Sequence, residues 1–461
     1  MKIELTQLQR QAVELPDKLV TVHAVAGSGK TRVLLARYMW MLDHDVVPSS
    51  VAIITFTRRA ARVLSDRIAE LGLPHPAFVG TLHSLAYRIL IRWMNPDLVV
   101  FEEKEPTPTD GWGRDWLRYG DEVINRAMEV ILENRDAQEG IRHFLWDEAQ
   151  DTSLLDVDFV VDSFEPETIF AVGDENQEIY GFAGRKSRLF LHMMQEGAAS
   201  IRLVMDFRND ETIASLAQEL IHQPIEAVSE KTGLIWIGGG SIQDTISVIH
   251  STHPDWSIGI LTPTRKQAMK ISKEYNIPYK HSKPPRWAQI MYAWAQVRKL
   301  ITLPPANPCL TIIAQHYLNL IDGQDEVYRA TMTDDVYRVA SIVHQVLHIP
   351  AEDTQLPAGI DTPDGFINWY IDREWTDSTL DEDNGKIIVT TMHASKGEEW
   401  DAVILPDLKG PTWIINDVER AKVWYVAITR ARHEVGFIRG AEMDPVLKYV
   451  LGKRIEEVNN D

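Results

Sequence analysis

Residues 19–31 read LVTVHAVAGSGKT, an apolar run that leads directly into a glycine-rich loop. The run LVTVHA (19–24) predicts a buried strand, and a helical pattern follows from Thr31 to Leu42. This strand–loop–helix setting suits a P-loop, because its glycines let backbone N–H groups and a helix N-terminus face phosphates. Lys30 can neutralise the β- and γ-phosphates, and the Thr31 hydroxyl can ligate Mg²⁺. The stretch predicts a nucleotide-binding α/β fold whose phosphate site consists of Ala24, Ala26, Gly27, Ser28, Gly29, Lys30 and Thr31.

An acidic pair lies further along the chain, at the end of the strand-like run FLWD (144–147). A carboxylate at the C-terminal end of a strand can reach a bound metal, and its neighbour can polarise the attacking water. Asp147 is therefore the candidate Mg²⁺ ligand, and Glu148 is the candidate general base. A surface acidic turn is the alternative for such a pair, but its position after the P-loop favours the metal site.

Short apolar runs alternate with helical patterns in two parts of the chain. The first set of strand-like runs is LVTVHA (19–24), VAIITF (51–56), FLWD (144–147), TIFAV (168–172) and IRLV (201–204). The second set is LIWI (234–237), IGILT (258–262), IIVTT (387–391), AVILP (402–406) and VGFI (435–438). Strands that alternate with helices of about 10–15 residues indicate right-handed βαβ units and parallel sheets. We therefore predict two α/β domains, each interrupted by an inserted helical segment.

The composition excludes several classes of protein. The 461 residues include one cysteine, Cys309, which excludes an intramolecular disulfide framework, a cysteine-rich zinc module and a four-cysteine iron–sulfur cluster. The N-terminal residues lack an apolar signal segment, and no run approaches the roughly 18 apolar residues of a membrane span. An intracellular, cytoplasmic protein without a membrane anchor is expected.

The net charge of −20 argues by itself against a nucleic-acid partner, because neutralising phosphates requires Lys and Arg. The charge is unevenly distributed, however. Residues 321–385 contain 15 acidic and 3 basic residues, whereas residues 258–303 contain 9 basic residues and 1 acidic residue. The chain thus remains compatible with a local nucleic-acid path lined by stacking aromatic residues and a few cations.

Short motifs in a fixed order resemble those of superfamily 1 helicases of the UvrD/Rep type, and the resemblance extends over nearly the whole chain. The matching segments are LTQLQ (5–9), AVAGSGKT (24–31), TFTRRAA (55–61), GTLHS (80–84), DEAQD (147–151), VGDENQEIYGF (172–182), DFRN (206–209), TMHASKGEEW (391–400) and WYVAITRA (424–431). Each match is weak evidence by itself, but their common order is specific.

The resemblance implies a fold of two RecA-like P-loop NTPase domains with parallel sheets, each carrying a mainly helical inserted subdomain. The first motor domain is expected at residues 1–85 and 141–205, with residues 86–140 as its short insertion. The second is expected at residues 206–283 and 386–461, with residues 284–385 as a partly acidic insertion.

The same resemblance implies ATP and Mg²⁺ as cofactors in a cleft between the two domains. Gln177 would sense the γ-phosphate, and Arg208 and Arg430 would be arginine fingers that stabilise the transition-state charge. The implied catalytic residues are Lys30, Asp147, Glu148, Gln177, Arg208 and Arg430, and the implied metal ligands are Thr31 and Asp147.

Other residues are expected to hold the nucleoside part of ATP. By resemblance, Gln9 would read the edge of the adenine, and Arg32 and Phe207 would sandwich its ring. Glu399 would accept a ribose hydroxyl. Glu398 stands where the family usually has leucine, so the ribose assignment could be shifted by one position.

A third group is expected to contact single-stranded DNA by stacking on bases or touching the backbone, which tolerates any sequence. By resemblance its members are Phe56, Arg58, Thr81, His83, Tyr180, Phe182 and His393, with Arg59 beside them. Phe56 and Phe182 could instead be core aromatics, and the two histidines could be structural.

The chain departs from the family pattern at several positions. Val25 replaces a glycine of the P-loop, which is tolerable if its side chain points away from the phosphates. Asp206 replaces an asparagine. Ala183-Gly184-Arg185 replaces the Arg-Gly that follows Phe182, so a basic contact is lost or moved to Arg185. Both insertions are short, with only 117 positions between Lys30 and Asp147.

The resulting prediction is an ATP-dependent DNA helicase that moves 3′ to 5′ on single-stranded DNA and separates duplexes. Its expected partners are single-stranded DNA and junctions of single- and double-stranded DNA, and the isolated protein is expected to be monomeric. One alternative is a translocase that strips proteins from DNA with weak unwinding. Another is a non-catalytic DNA-binding scaffold, which the complete set of catalytic residues disfavours. Stacking contacts do not distinguish DNA from RNA.

Overall fold

The computed structural model describes residues 3–93, 114–181, 184–280, 386–411, 414, 416–438 and 442–460. The predicted second insertion (284–385), with its acidic segment and Cys309, lies outside these residues. So do Phe182 and the Pro- and acid-rich stretch within the first insertion.

Six parallel strands form the first sheet, in the order β3-β2-β4-β5-β1-β6. The strands are β1 (Leu19–Ala24), β2 (Val51–Ile54), β3 (Phe78–Gly80), β4 (His143–Trp146), β5 (Thr168–Gly173) and β6 (Ala199–Leu203). All five runs predicted as strands in this part of the chain form strands; β1 has the predicted bounds, and the bounds of the others differ by at most two residues. The sequence pattern missed β3, which pairs with β2 at the edge of the sheet.

Helices connect these strands, as parallel pairing requires. They are α1 (Gln7–Glu14), α2 (Lys30–Asp43), α3 (Arg58–Glu70), α4 (Leu82–Trp93), α5 (Arg114–Glu133), α6 (Leu154–Phe164) and α7 (Arg188–Gln195). Local sequence fixes several of their starts. In α1, for example, the Thr6 side chain accepts from the Gln9 N–H while the Gln9 side chain accepts from the Thr6 N–H, which is a capping box.

Five further parallel strands form the second sheet, in the order β11-β10-β12-β13-β9. Its strands are β9 (Leu234–Gly238), β10 (Ile258–Thr262), β11 (Ile387–Thr391), β12 (Trp400–Leu405) and β13 (Ala431–Ile438). Two short strands, β7 (Met205–Asp206) and β8 (Glu226–Ala227), pair separately. The remaining helices are α8 (Glu211–Ile221), α9 (Ile242–Thr252), α10 (Arg265–Tyr275), α11 (Asp417–Ile428) and α12 (Pro445–Asn460).

Each sheet packs against helices through its own buried core. Val22 of β1 and Phe170 of β5 pack with Leu34 and Tyr38 of α2 in the first core. The second core includes Val403, Trp424 and Phe437, and α8, α11 and α12 contribute to it. Because strands in parallel sheets are buried on both faces, they read as continuous apolar runs, and this is why the sequence revealed them.

By its internal contacts the chain divides into two compact units. The first comprises Met1–Arg88, Asp121–His281 and Asp383–Asp461 and contains both sheets. The second comprises Ile89–Gly120 and Ser282–Glu382, most of which lies outside the described residues. Within the described ranges, none of the helices combines the length and apolar character that crossing a bilayer requires.

Candidate functional site

The phosphate loop runs from Val25 to Gly29, between β1 and α2. Gly27 and Gly29 have φ angles of 73° and 79°, in the left-handed region that glycine adopts without a steric cost. The Val25 N–H donates to the Leu203 carbonyl at 3.1 Å, which ties the loop to β6. Because α2 begins at Lys30, its free N-terminal N–H groups lie at the end of this loop. The predicted P-loop residues therefore form a curled anion-binding turn.

Gly27 is the position at which this loop tolerates least change. A Cβ atom at Gly27 would lie 1.9 Å from Asp206 Oδ1 and 2.9 Å from Arg208 Cβ. We expect Gly27→Ala to weaken nucleotide binding more than tenfold, since both the clash and the positive φ distort the loop. Gly140→Ala is the matched control, because Gly140 has a φ of 75° and no heavy atom within 4 Å of its added Cβ. That control should lose about 1 kcal/mol of stability and keep nucleotide affinity. Titration with a fluorescent nucleotide measures the affinity of both variants, and equal affinities of Gly27→Ala and Gly140→Ala would contradict the prediction.

Val25 in the phosphate loop and Tyr425 in α11 fix the position of this loop. Val25 is buried and packs in a small apolar cluster with Ala26 and Tyr425, so its side chain points away from the loop's phosphate-facing groups. The Ala26 N–H donates to Tyr425 Oη at 2.8 Å, and this hydroxyl donates to Asp174 Oδ2 at 2.8 Å. Burial raises the pKa of Tyr425 well above its usual value, so the phenol stays protonated. The sequence assigned Tyr425 no role, although it lies within the WYVAITRA segment.

Asp147 and Glu148 follow β4 and lie beside the phosphate loop. The Asp147 N–H donates to the Ile54 carbonyl at 2.7 Å, and the Thr31 hydroxyl lies 3.4 Å from Asp147 Oδ2. Glu148 has a φ of 56°, and its carboxylate accepts from the Gln150 amide. The predicted pair of metal ligands, Thr31 and Asp147, is thus brought together.

The two carboxylates have opposite pKa shifts. Burial, reinforced by the adjacent Glu148, raises the pKa of Asp147 to about 7. Burial would also raise the pKa of Glu148, but the positive charges of Lys30, Lys396 and Arg430 outweigh it and lower that pKa to about 2. Glu148 therefore stays ionised at neutral pH, as polarising a water molecule requires.

The donor set at Asp147 suits a hard cation. A hydroxyl and a carboxylate are oxygen ligands of the kind that Mg²⁺ prefers, and Mg²⁺ commonly takes one or two protein ligands plus phosphate oxygens. A nearby cation would also stabilise the ionised form of the buried Asp147. In the part of the chain that the structure describes, no cluster of three or more His, Cys, Asp or Glu residues could hold a metal alone.

Gln177 and Arg430 meet near this acidic pair. The Gln177 side chain donates to Asp174 Oδ2 at 2.9 Å, and Arg430 Nη2 lies 3.4 Å from Gln177 Oε1. Arg430 is 1% exposed, and its Nε and Nη1 donate to the carbonyls of Val426 and Glu398. Burial, followed by the nearby Arg208, lowers the pKa of Arg430 to about 10, so it remains a cation at neutral pH.

Arg208 is held close to Arg430 and pairs with an acid. Arg208 Nε lies 2.8 Å from Glu399 Oε2, and Glu399 also pairs with Arg432. The side-chain amide of Asn209, a residue with no assigned role in the sequence analysis, donates to the carbonyls of Thr429 and Ala431 on either side of Arg430. Both predicted fingers are therefore positioned together, and Glu399, the predicted ribose contact, pairs with one of them.

Of the other residues expected to hold the nucleoside, Gln9 contacts the phosphate loop directly. Gln9 is buried, and its side-chain N–H donates to the Ser28 carbonyl at 2.9 Å while its Oε1 accepts from Thr6. Its base-reading role stays a prediction, since both ends of the amide already bond to backbone. Arg32 is exposed and Phe207 is 40% exposed, as a pair of stacking side chains would need.

Lys396 connects the second sheet to the acidic segment of the first. Its ammonium pairs with the Asp151 carboxylate, donates to the Gln177 carbonyl at 2.7 Å and lies 5.4 Å from the centre of the Tyr180 ring. Both charged side chains are almost fully buried, at 6% and 0% exposed. Lys396 belongs to the motif TMHASKGEEW (391–400), but nothing in the sequence indicated that Asp151 is its partner.

Three of the predicted stacking residues lie together. The ring centres of Phe56 and Tyr180 are 5.2 Å apart, and those of Tyr180 and His393 are 6.4 Å apart. Tyr180 Oη donates to the His393 carbonyl at 3.2 Å. Arg185 is buried against Phe56 and pairs with Asp156, so it does not replace the missing surface cation.

The structure says less about the other residues that were predicted to contact DNA. The Thr81 hydroxyl bonds to Ser84 at the start of α4. Burial is the main cause that lowers the pKa of His83 to about 4, so its imidazole is neutral at neutral pH. Phe182 and the side chain of Arg58 lie outside the described residues.

His393 should contribute to the pH dependence of stability. Burial, reinforced by Lys396, lowers its pKa from about 6.5 to about 4. Because the unfolded chain binds more protons between these values, stability is complete above about pH 6.5 and falls as the pH decreases towards 4. When the pH is lowered from 6.5 to 5, the unaltered protein should lose about 1–2 kcal/mol more stability than His393→Gln does. Parallel denaturant titrations at the two pH values measure this, and identical losses would contradict the buried neutral state.

The fold and the site define a P-loop protein in which a buried arginine, Arg430, lies just before a strand of the second parallel sheet and close to the acidic pair that follows β4. Comparison with protein families agrees with this class. Residues 5–104 and 119–197 match the UvrD/REP helicase N-terminal domain, and residues 386–438 match the UvrD-like helicase C-terminal domain. The two matches together cover about half of the chain. The chain belongs to the UvrD/Rep-like family of superfamily 1 helicases.

Curated relatives show moderate similarity. DNA helicase II of Salmonella typhimurium is 27% identical over 306 residues, which cover 51% of this chain and 42% of that protein. A putative ATP-dependent DNA helicase of Acanthamoeba polyphaga mimivirus is 30% identical over 226 residues, covering 47% of this chain and 30% of that protein. ATP-dependent DNA helicase PcrA of Staphylococcus aureus is 41% identical over 87 residues, covering 18% and 12%. The chain matches less than half the length of these relatives.

Proposed function

We propose that this protein is an ATP-dependent DNA helicase that moves 3′ to 5′ along single-stranded DNA and separates duplexes. Its two sheets would belong to two RecA-like domains, with ATP hydrolysed in the cleft between them. The observation that carries this proposal is the convergence of Lys30, Asp147, Glu148, Gln177 and Arg430, supported by their hydrogen bonds and by the family membership.

The chemistry follows from the charges around the phosphate loop. Lys30 and the N-terminus of α2 would bind the phosphates, and Thr31 and Asp147 would hold Mg²⁺, which would supply positive charge to the phosphates. Glu148, kept ionised by the surrounding cations, accepts a hydrogen bond from the attacking water and orients it. Arg430 and Arg208 stabilise the charge that develops on the transferred phosphoryl group.

Binding of the nucleoside and of DNA rests on the side chains around this centre. Arg32 and Phe207 would stack on the adenine, with Gln9 and Glu399 at its edge and ribose. Phe56, Tyr180 and His393 would stack on bases at about 1–3 kcal/mol each. Gln177 lies three residues before Tyr180 and bonds to Arg430, so changes at the γ-phosphate can reach the stacking residues through one short segment.

A translocase with weak strand separation is the second candidate. The short spacing between Lys30 and Asp147 favours it, because the first insertion has little chain with which to engage a duplex. The proposed function and this alternative share the ATP site and differ only in the coupling of movement to unwinding.

One preparation assayed for ATP turnover and strand separation distinguishes these functions. The substrates are single-stranded DNA, a 3′-tailed duplex and a 5′-tailed duplex, with Lys30→Ala as the inactive control. DNA-stimulated turnover and separation of the 3′-tailed duplex alone are expected. Turnover with displacement of a bound protein but no separation would support the translocase. Absence of DNA-stimulated turnover would contradict both.

A further inference from the structure

Three charged side chains meet at one point between α3 and β11. The Glu398 carboxylate pairs with Arg59 of α3, and Lys280 Nζ lies 3.1 Å from the same Glu398 oxygen. Glu398 is only 15% exposed, whereas Arg59 is 52% and Lys280 34% exposed. The acid therefore lies in the interior of the group, and the two cations extend to its solvent side.

The backbone positions of both basic residues are fixed independently of Glu398. Arg59 is in the first turn of α3, whose start is capped by the Thr57 hydroxyl accepting from the Ala60 N–H. The Lys280 N–H donates to the Val389 carbonyl at 2.8 Å, and the Lys280 carbonyl accepts from the Thr390 hydroxyl at 2.7 Å. Two cations held on separate elements beside a helix N-terminus form an anion site, and here a carboxylate fills it.

We propose that Arg59 and Lys280 bind a backbone phosphate of single-stranded DNA, and that the Glu398 carboxylate occupies this site until DNA displaces it. The inference rests on the proposed function and adds to it a specific phosphate contact and a built-in competitor. Exchange is feasible because ion pairs with partly exposed partners contribute only about 0–1 kcal/mol each. A phosphate also offers several acceptor oxygens to both cations at once.

Glu398 also touches the nucleotide site. Its carbonyl accepts from Arg430 Nη1 at 3.2 Å, while its side chain fills the anion site. The residue that DNA displaces is thus the residue that holds one arm of the buried arginine. Sequence analysis marked Glu398 as an acid where the family usually has leucine, which agrees with a competitor particular to this chain.

The test compares DNA binding of the unaltered protein, Glu398→Gln and Glu167→Gln by fluorescence anisotropy with labelled oligothymidine. Glu167→Gln changes the net charge by the same amount as Glu398→Gln. Glu167 pairs with Arg142, which precedes β4 and lies at the opposite end of the strands from the phosphate loop. We expect Glu398→Gln to bind about fivefold more tightly at low salt, as the loss of about 1 kcal/mol of competition requires. Its slope of log affinity against log salt should equal that of the unaltered protein, because DNA makes the same phosphate contact in both once the Glu398 carboxylate has left the site.

A second pair of variants locates the effect. In the Glu398→Gln background, Arg59→Gln should remove the gain in affinity and make the slope of log affinity against log salt shallower by about 0.7, because the site has lost a cation that contacts the phosphate. Equal affinity for Glu398→Gln and Glu167→Gln would overturn the inference while DNA binding by the unaltered protein upholds the proposed function. Failure of the unaltered protein to bind DNA would overturn both.

Discussion

Replacing Arg430 with alanine is expected to reduce ATP turnover by about 10³- to 10⁵-fold, the range for removal of an arginine finger. Arg430 is buried and bonds to Gln177, and the proposed function gives it the role of stabilising charge on the transferred phosphoryl group. The affinity for single-stranded DNA should change little, because the hydrogen bonds of Arg430 are directed at Gln177, Thr429 and the carbonyls of Val426 and Glu398. Steady-state turnover with saturating DNA, beside DNA binding by anisotropy, measures both effects.

Arg37 provides a matched control for the loss of a buried arginine. Its guanidinium donates to the carbonyls of Val13 and Leu15, and burial lowers its pKa to about 10, the same value as for Arg430. Arg37→Ala should therefore lower thermal stability without the loss of turnover. Arg430→Lys, which keeps the charge and loses the planar fork, should remain folded and still lose most activity. Turnover of Arg430→Ala or Arg430→Lys within tenfold of the unaltered protein would refute the assignment.

The second large effect is expected from Lys396→Met. The change leaves the Asp151 carboxylate buried without its cation, and breaking such a pair costs about 3–5 kcal/mol of stability. Burial already raises the pKa of Asp151 to about 6 although Lys396 opposes the shift. DNA stimulation of ATP turnover should also fall towards the basal rate, because Lys396 joins the Gln177 carbonyl to the Tyr180 ring. Thermal melting and turnover with and without DNA measure the two effects.

The double variant Lys396→Met, Asp151→Asn separates stability from coupling. Removing the uncompensated charge should restore most of the thermal stability, since a neutral pair can be accommodated where a lone charge cannot. DNA stimulation should stay low, because the contacts of Lys396 with Gln177 and Tyr180 are still missing. If Lys396→Met melts at the same temperature as the unaltered protein, the assignment of a buried ion pair between Lys396 and Asp151 is wrong. If the double variant regains full stimulation, Lys396 does not couple the two sites.

The strands were predictable from sequence because parallel sheets bury both faces. The runs IGILT and IIVTT form β10 and β11 with the predicted bounds. The strand missed in the first sheet, β3, has three residues, Phe78–Gly80, and pairs on one side only. Its length gives no periodicity, and glycine disfavours a strand locally, so only pairing with β2 reveals it.

The site was predictable where chemistry is local in sequence and was not where it depends on long-range contact. A glycine-rich loop, a DE pair after a strand and motif arginines are visible in the chain itself. Lys396 contacts Asp151, which is 245 positions away in the sequence. Tyr425 contacts Ala26, which is 399 positions away. Asn209 likewise acquires its role only from the carbonyls around Arg430. No spacing rule within one chain reveals such pairs.

The bond between Tyr425 and the Ala26 N–H has a consequence for how the protein is made. A ribosome completes the first sheet when residue 203 has been synthesised, but this P-loop amide gains its phenol partner only after more than 200 further residues. A nascent chain that ends before α11 therefore has the strands of the first sheet without the complete environment of its phosphate loop. Competence to bind a nucleotide fully is therefore acquired only after α11 has been synthesised and packs against residues that were made much earlier.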